Sequence, residues 1–244
     1  MTLAPPERAG WARLQPVRPE RALAWLARLA RVLSWPFARF DVDGGDAMND
    51  SVETGIIVVD HRSLFDVVAG LIIFHKYHRY PRLLIEKKYV DSKWTAPFAR
   101  AIGAIPVDRA AGHGEAFAAA VTALHSGITI LLLPEGRIRY DPDRPLATGK
   151  AATGVSRLAE ASGMPVIAAG MIGTEQVWPG SRYLPYLNPF RRRPWVTCRI
   201  SDRPVAFTGT DHHERTEQAM ADVRRMMAEC AAVAERRDQR ALAA

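Results

Sequence analysis

Short apolar, β-branched runs alternate with amphipathic stretches along most of the chain. Residues 55–59 read as a buried strand, residues 63–77 as a helix, and residues 82–85 as a second strand. Residues 94–102 look helical and 104–107 extended, and the Ala-rich stretch 115–125 is helical. The run 128–133 is the strongest strand signal. A helix over 154–162, a strand over 165–171, a late strand over 195–200 and a charged C-terminal helix over about 214–237 complete the pattern. Strands alternating with helices predict an α/β fold with a mixed, largely parallel sheet flanked by helices.

The N-terminal part differs. Residues 1–18 hold three prolines and scattered arginines and read as a flexible lead-in, and Pro19 suits a first helical position. Residues 20–40 have the spacing of an amphipathic helix. Arg21, Arg28 and Arg39 fall on one side, with Leu23, Leu26, Ala30, Leu33, Phe37 and Phe40 opposite. Trp25 and Trp35 fall near the boundary, and Pro36 predicts a kink or break near Trp35. Two readings stand side by side: a helix capping the core, and a helix lying on a membrane surface with its tryptophans at the interface. Residues 41–51 read as a loop. The expected organisation is a lead-in and amphipathic helix over 1–45 and a single α/β domain over 46–244.

The length, 244 residues, suits one domain with a short appendage. With 48% hydrophobic and 24% charged residues the chain has a globular composition and is not disordered. No run approaches 18 apolar residues, so no membrane-spanning helix is expected. Pro5, Pro6, Glu7 and Arg8 occupy the place of a signal peptide's apolar region. Cys198 and Cys230 are too few for a disulfide framework or a cysteine zinc site. The net charge of +7 points to an anionic partner, either phosphate groups or an anionic membrane.

Three segments carry candidate chemistry, each just past a predicted strand, where sites form in α/β sheets. In Asp60-His61-Arg62-Ser63-Leu64-Phe65-Asp66, His61 can accept a proton near neutral pH, and Asp66 is close enough to hold its other nitrogen. The same residues fit a helix cap, with Ser63 as N-cap and Asp66 three residues on. In Pro134-Glu135-Gly136-Arg137-Ile138-Arg139, two arginines offer paired donors to a phosphate, or else form a surface salt-bridge loop. In Gly103-Ala104-Ile105-Pro106-Val107-Asp108-Arg109, Arg109 either joins that phosphate site or ends a strand in an exposed ion pair.

In order and spacing these segments resemble the glycerolipid acyltransferase superfamily typified by 1-acylglycerol-3-phosphate acyltransferase. The resemblance rests on H-x-x-x-x-D (His61 to Asp66), G-x-I-x-V-D-R (Gly103 to Arg109, after Lys87-Lys88), P-E-G (Pro134 to Gly136) and G-x-P-V-I (Gly163 to Ile167). It spans about residues 52–205. It implies a mixed sheet flanked by helices and a His–Asp general base that activates an acceptor hydroxyl against an acyl thioester. The carried-over roles fall on His61 and Asp66 for catalysis. By the same resemblance Arg109, Glu135 and Gly136 are expected to bind the acceptor's phosphate, with Arg137 and Arg139 as further candidates. The resemblance implies no metal, no cofactor beyond acyl-CoA or acyl-carrier protein as co-substrate, and no covalent acyl-enzyme. Asp60 stands where the family usually has Asn. Arg137 and Ile138 stand where it often has Thr and Arg, and Lys150 is a candidate for a downstream basic residue.

A lysophospholipid acceptor implies a peripheral enzyme on an anionic membrane, at its cytoplasmic face. Trp25, Arg28 and Trp35 are the first candidate contacts. The aromatic and basic stretch 178–195, with Arg191, Arg192 and Arg193, is a second surface or else an insertion packed on the core. Other lysolipid, ornithine-lipid or glycolipid acceptors are the nearer alternative. A non-catalytic protein binding anionic lipid or nucleic acid is the further one, and no nucleic-acid partner is expected.

Overall fold

The computed structural model describes residues 19–45, 54–108, 114–136, 138, 151–180, 182, 184–186 and 192–243. Among them a seven-stranded sheet runs in the order β1-β7-β6-β2-β5-β3-β4. The strands are β1 (Arg39–Gly44), β2 (Ile56–Val59), β3 (Arg82–Glu86), β4 (Ile105–Val107), β5 (Ile130–Leu132), β6 (Val166–Ile172) and β7 (Trp195–Ile200). The five strands β6, β2, β5, β3 and β4 are mutually parallel. The remaining pair, β7 and β1, is parallel within itself and joins β6 antiparallel. This is the mixed, mostly parallel sheet that the sequence pattern predicts.

Every residue of β2 is buried, as a continuous β-branched run at the centre of a parallel sheet requires. Its side chains alternate between two apolar layers. Ile57 and Val59 meet one layer with Leu83, Leu131, Ile167 and Ala169. Ile56 and Val58 meet the other with Ile130, Val166 and Ala168. Helices α1 (Pro19–Ser34) and α2 (Phe65–Lys76) cover the first face. Helices α5 (Gly114–His125), α6 (Gly154–Ser162) and α8 (His212–Leu242) cover the second. Two short helices, α3 (Lys87–Asp91) and α4 (Ala96–Ala101), connect β3 to β4, and α7 (Thr174–Val177) follows β6.

One expectation is corrected. Residues 20–40 do not form one helix, and residue 41 does not begin a loop. Helix α1 stops at Ser34, where Pro36 can neither donate to the helical ladder nor fit behind it. The Phe37 and Ala38 amides bond back to the Ser34 carbonyl, closing a turn. The chain then becomes β1, with Phe40 and Val42 leaning on the core. The alternation of Arg39, Asp41 and Asp43 with those two residues is a strand period. Residues 1–18 and 46–51, read as lead-in and loop, lie wholly or mainly outside the described residues.

Candidate active site

Because β6, β2, β5, β3 and β4 are parallel, their carboxyl ends share one edge. The turns that leave this edge carry Glu175, His61, Glu135, Lys87 and Asp108. His61 follows central β2 by two residues. Its Nδ1 lies 2.9 Å from Asp66 Oδ2. A carboxylate oxygen has only lone pairs to offer, so Nδ1 carries the proton and Nε2 is left as the basic nitrogen. Asp66 Oδ2 also accepts from the Arg62 amide at 2.7 Å and the Ser63 amide at 2.8 Å. These bonds fix the carboxylate, and the carboxylate fixes the ring. The side chains are 14% and 5% exposed, so the pair is desolvated but open on one side.

The cap and the pair coexist. Helix α2 is counted from Phe65, with Leu64 in the cap position already helical and offering no side-chain bond. Ser63 performs the capping expected of it one position earlier. Its Oγ accepts from the Phe65 amide at 2.9 Å, while Asp66 reaches back to the Ser63 amide. The Ser63 hydroxyl donates to the Trp178 carbonyl at 2.6 Å, which ties this turn to the segment after β6.

Asp60, beside His61, is 3% exposed, and among the described residues no well-aligned hydrogen bond reaches its oxygens, the Met171 amide being the nearest backbone donor that acts on it. Burial first, then the charge of Asp66, pushes its pKa well above the ordinary carboxylate range. Arg62 and the Met171 backbone oppose the rise, and Glu135 adds to it. Folding therefore favours the protonated acid, a neutral group where the resemblance expects a neutral amide. The stabilisation is complete below the unfolded pKa of about 4 and is lost as pH rises through the higher folded pKa. Asp60→Asn should raise Tm more at about pH 8 than at about pH 5, by roughly 2–4 °C per kcal/mol of difference. Equal shifts at both pH values, read by thermal unfolding, would disprove the assignment.

Glu135 is buried in the turn after β5, near enough to Asp60 to affect it. Gly136 closes that turn with its amide 2.9 Å from the Leu133 carbonyl and a φ of 64°, which favours glycine. Arg109, Arg137, Arg139 and Lys150 lie outside the described residues.

An apolar cavity opens beside the pair. It runs from Asp66 along Val67, Gly70 and Phe74, beneath Leu23 of α1, against Leu83 and Ile102.

The acyltransferase family model matches residues 40–172, more than half of the chain. The chain belongs to the acyltransferase family. The crystal structure of the 1-acyl-sn-glycerophosphate (LPA) acyltransferase PlsC from Thermotoga maritima is similar in fold, with a TM-score of 0.62 at 19% identity. The similarity covers 86% of this chain and 80% of that one. No curated protein matches the chain in sequence.

The acyltransferase edge also holds a pair that the sequence reading missed. Arg62 Nη2 lies 3.4 Å from Glu175 Oε1, both side chains buried. Glu175 Oε2 accepts from the Gly173 amide at 3.0 Å. The signal was available: Glu175 follows β6 as His61 follows β2, at the same edge.

The candidate membrane residues divide. Helix α1 turns Leu23, Ala27 and Ser34 to the core. Trp25, Val32 and Leu33 are exposed, with Arg28 exposed nearby. This corrects the expected layout: Leu33 is outside rather than among the core-facing residues, so α1 is apolar on two sides. Trp35 is exposed, but the Arg193 guanidinium sits 4.9 Å from its ring and bonds its carbonyl at 2.9 Å. The two surfaces expected separately thus meet there. Arg192 is exposed, and Arg191 is outside the described residues. Trp178 packs against the core, and Trp195 stacks between Arg39 and Arg237.

Proposed function

We propose that this acyltransferase moves a fatty acyl group from acyl-CoA or acyl-carrier protein to the free hydroxyl of a lysophospholipid. The acceptor is 1-acylglycerol 3-phosphate, and the product is phosphatidic acid. The observation that carries the reading is the His61–Asp66 pair at the end of β2, whose Asp66 also lines an apolar cavity. Nε2 of His61 takes the acceptor's hydroxyl proton as its oxygen attacks the thioester carbonyl. The tetrahedral intermediate collapses, the C–S bond breaks, and the imidazolium returns the proton to the departing thiolate. Asp66 holds the ring and stabilises its charged form.

A direct transfer fits the other candidate nucleophiles. Burial raises the pKa of both cysteine thiols, that of Cys230 to about 12, so neither is a ready thiolate. The Ser63 hydroxyl is committed to the Trp178 carbonyl. The cavity suits an acyl chain, since burying it gains about 0.8 kcal/mol per methylene. Arg109, Arg137 and Arg139, with Glu135 and Gly136, are proposed to hold the acceptor's phosphate. Among the described residues no helix is long and apolar enough to cross a membrane. We propose peripheral attachment to an anionic membrane at its cytoplasmic face, through Trp25, Arg28 and Trp35 and through Arg191, Arg192 and Arg193.

Thiol release from palmitoyl-CoA tests the reading. It should rise on adding 1-acylglycerol 3-phosphate, with phosphatidic acid accumulating in step. Arg137 and Ile138 in the third block favour a second reading, a lysolipid with a different head group. A panel of such acceptors with one donor separates the two. Release from neither acyl-CoA nor acyl-carrier protein with any acceptor would sink both.

A further inference from the structure

The connection from β3 to β4 carries three aromatic side chains that the described fold covers only in part, with Lys88 Nζ 5.0 Å from the Tyr89 ring. Trp94 is 93% exposed, and Tyr89 and Phe98 are exposed beside it in sequence. The segment is nonetheless well seated. Val90, Ala96 and Ala99 are buried beneath it. The Thr95 hydroxyl donates to the Tyr89 carbonyl, and the Ala96 amide bonds the Ser92 carbonyl at 2.8 Å. The small side chains face the core and the large aromatic ones face water, the reverse of what burial alone would select.

Exposed cations surround these rings: Lys87, Lys88, Lys93 and Arg100. Lys87 pairs with Asp108 at 3.3 Å and Lys88 with Glu86 at 3.1 Å. Among the described residues Lys93 and Arg100 are in no ion pair and stand against one exposed carboxylate, Asp91, so the segment keeps a small excess of positive charge. Aromatic rings with flanking cations match a bilayer's headgroup region, where rings meet the acyl boundary and cations meet anionic lipid. The location fits as well. Helix α3 begins at the carboxyl end of β3, at the edge that carries His61. Helix α4 touches α1, and Ile102 just beyond it lines the apolar cavity.

We propose that Tyr89, Trp94 and Phe98, with Lys93 and Arg100, form a second membrane-insertion point, separate from α1, at the lipid side of the cavity. It extends the acyl-transfer reading without depending on it, because membrane binding is measured without turnover.

The test is co-sedimentation of the full chain with two kinds of vesicle, phosphatidylcholine alone and phosphatidylcholine with about one-third phosphatidylglycerol. Trp94→Ser should lower the partition coefficient about tenfold, equal to about 1.4 kcal/mol, and Trp94→Phe should recover most of it. Lys93→Gln should weaken binding to the anionic vesicles alone, and the difference should vanish at high salt. Acyl-chain-brominated lipid should quench less tryptophan fluorescence in Trp94→Phe than in the wild type. The site is exposed, so Tm should not move. Unchanged partitioning of Trp94→Ser on both vesicles would overturn the proposal and leave α1 as the membrane contact. A loss of self-association in Trp94→Ser, with vesicle binding intact, would overturn it in favour of a second copy of the chain.

Discussion

Replacing His61 with alanine is expected to slow acyl transfer by about 10²–10⁴-fold, the usual worth of a positioned general base. The geometry also predicts that the fold survives. Among the described residues His61 contributes one side-chain bond, to Asp66. After its removal Asp66 Oδ2 still accepts from the Arg62 and Ser63 amides, so the start of α2 stays closed. The stability lost should therefore be that of one hydrogen bond, about 1 kcal/mol. Asp66→Asn should behave differently. It keeps an oxygen for the same three donors but removes the charge that strengthens those bonds and puts an amide NH2 where Asp66 Oδ1 is buried without a partner, so it should lose about 1–3 kcal/mol of stability together with turnover. Acceptor-dependent thiol release and thermal unfolding of both variants read the contrast. Full turnover in His61→Ala would exclude the general-base role, and a large fall in its Tm would make His61 a structural residue.

The second large effect lies far from the chemistry. A Cβ added at Gly170 would stand 2.4 Å from the Met227 nitrogen and 2.6 Å from the Met226 carbonyl carbon. Both are backbone atoms of α8, and no rotamer change relieves such a contact. Helix α8 presses on β6 there with Ala219, Met220, Val223 and Met227 fully buried, and Cys230 Sγ reaches the Gly170 carbonyl at 3.4 Å. Gly170→Ala must push the helix off the sheet. The expected loss is about 3 kcal/mol, a large share of a typical 5–15 kcal/mol. It should lower Tm by roughly 6–12 °C. A Tm within a degree or two of wild type would mean that α8 can shift without unpacking.

The elements legible in the sequence were those whose local pattern and tertiary setting agree. Residues 195–200 gave β7 with its observed bounds, and residues 154–162 gave α6 likewise. Both have one clear period and clear ends. β1 was missed because Phe37 and Phe40 also satisfy a helical spacing, and only its partner β7 decides between the two periods. Helices α3 and α7 were missed because five and four residues are too few for a helical period to show. At the site, the approach of His61 to Asp66 was legible because a short spacing across a strand-to-helix turn constrains it. The Arg62–Glu175 pair was not, because it joins positions 113 apart. Which side of α1 meets the core was also illegible: the helix is apolar on two sides, and only packing against α2 selects one.

The ladder between β1 and β7 has a consequence for how the chain is made. Asp41 is joined to Arg199, 158 positions later, and to Arg237 on the final helix. At 5–20 residues per second, translation of that interval takes roughly 8–30 s. Among the described elements β1 thus leaves the ribosome before every strand it could pair with and waits for β7, the last of them. Through that interval α1 has emerged without the sheet on which its core side packs, while its outward stripe of Trp25, Val32 and Leu33 is already complete. A lipid surface or a chaperone near the ribosome therefore meets this helix before the rest of its own domain does.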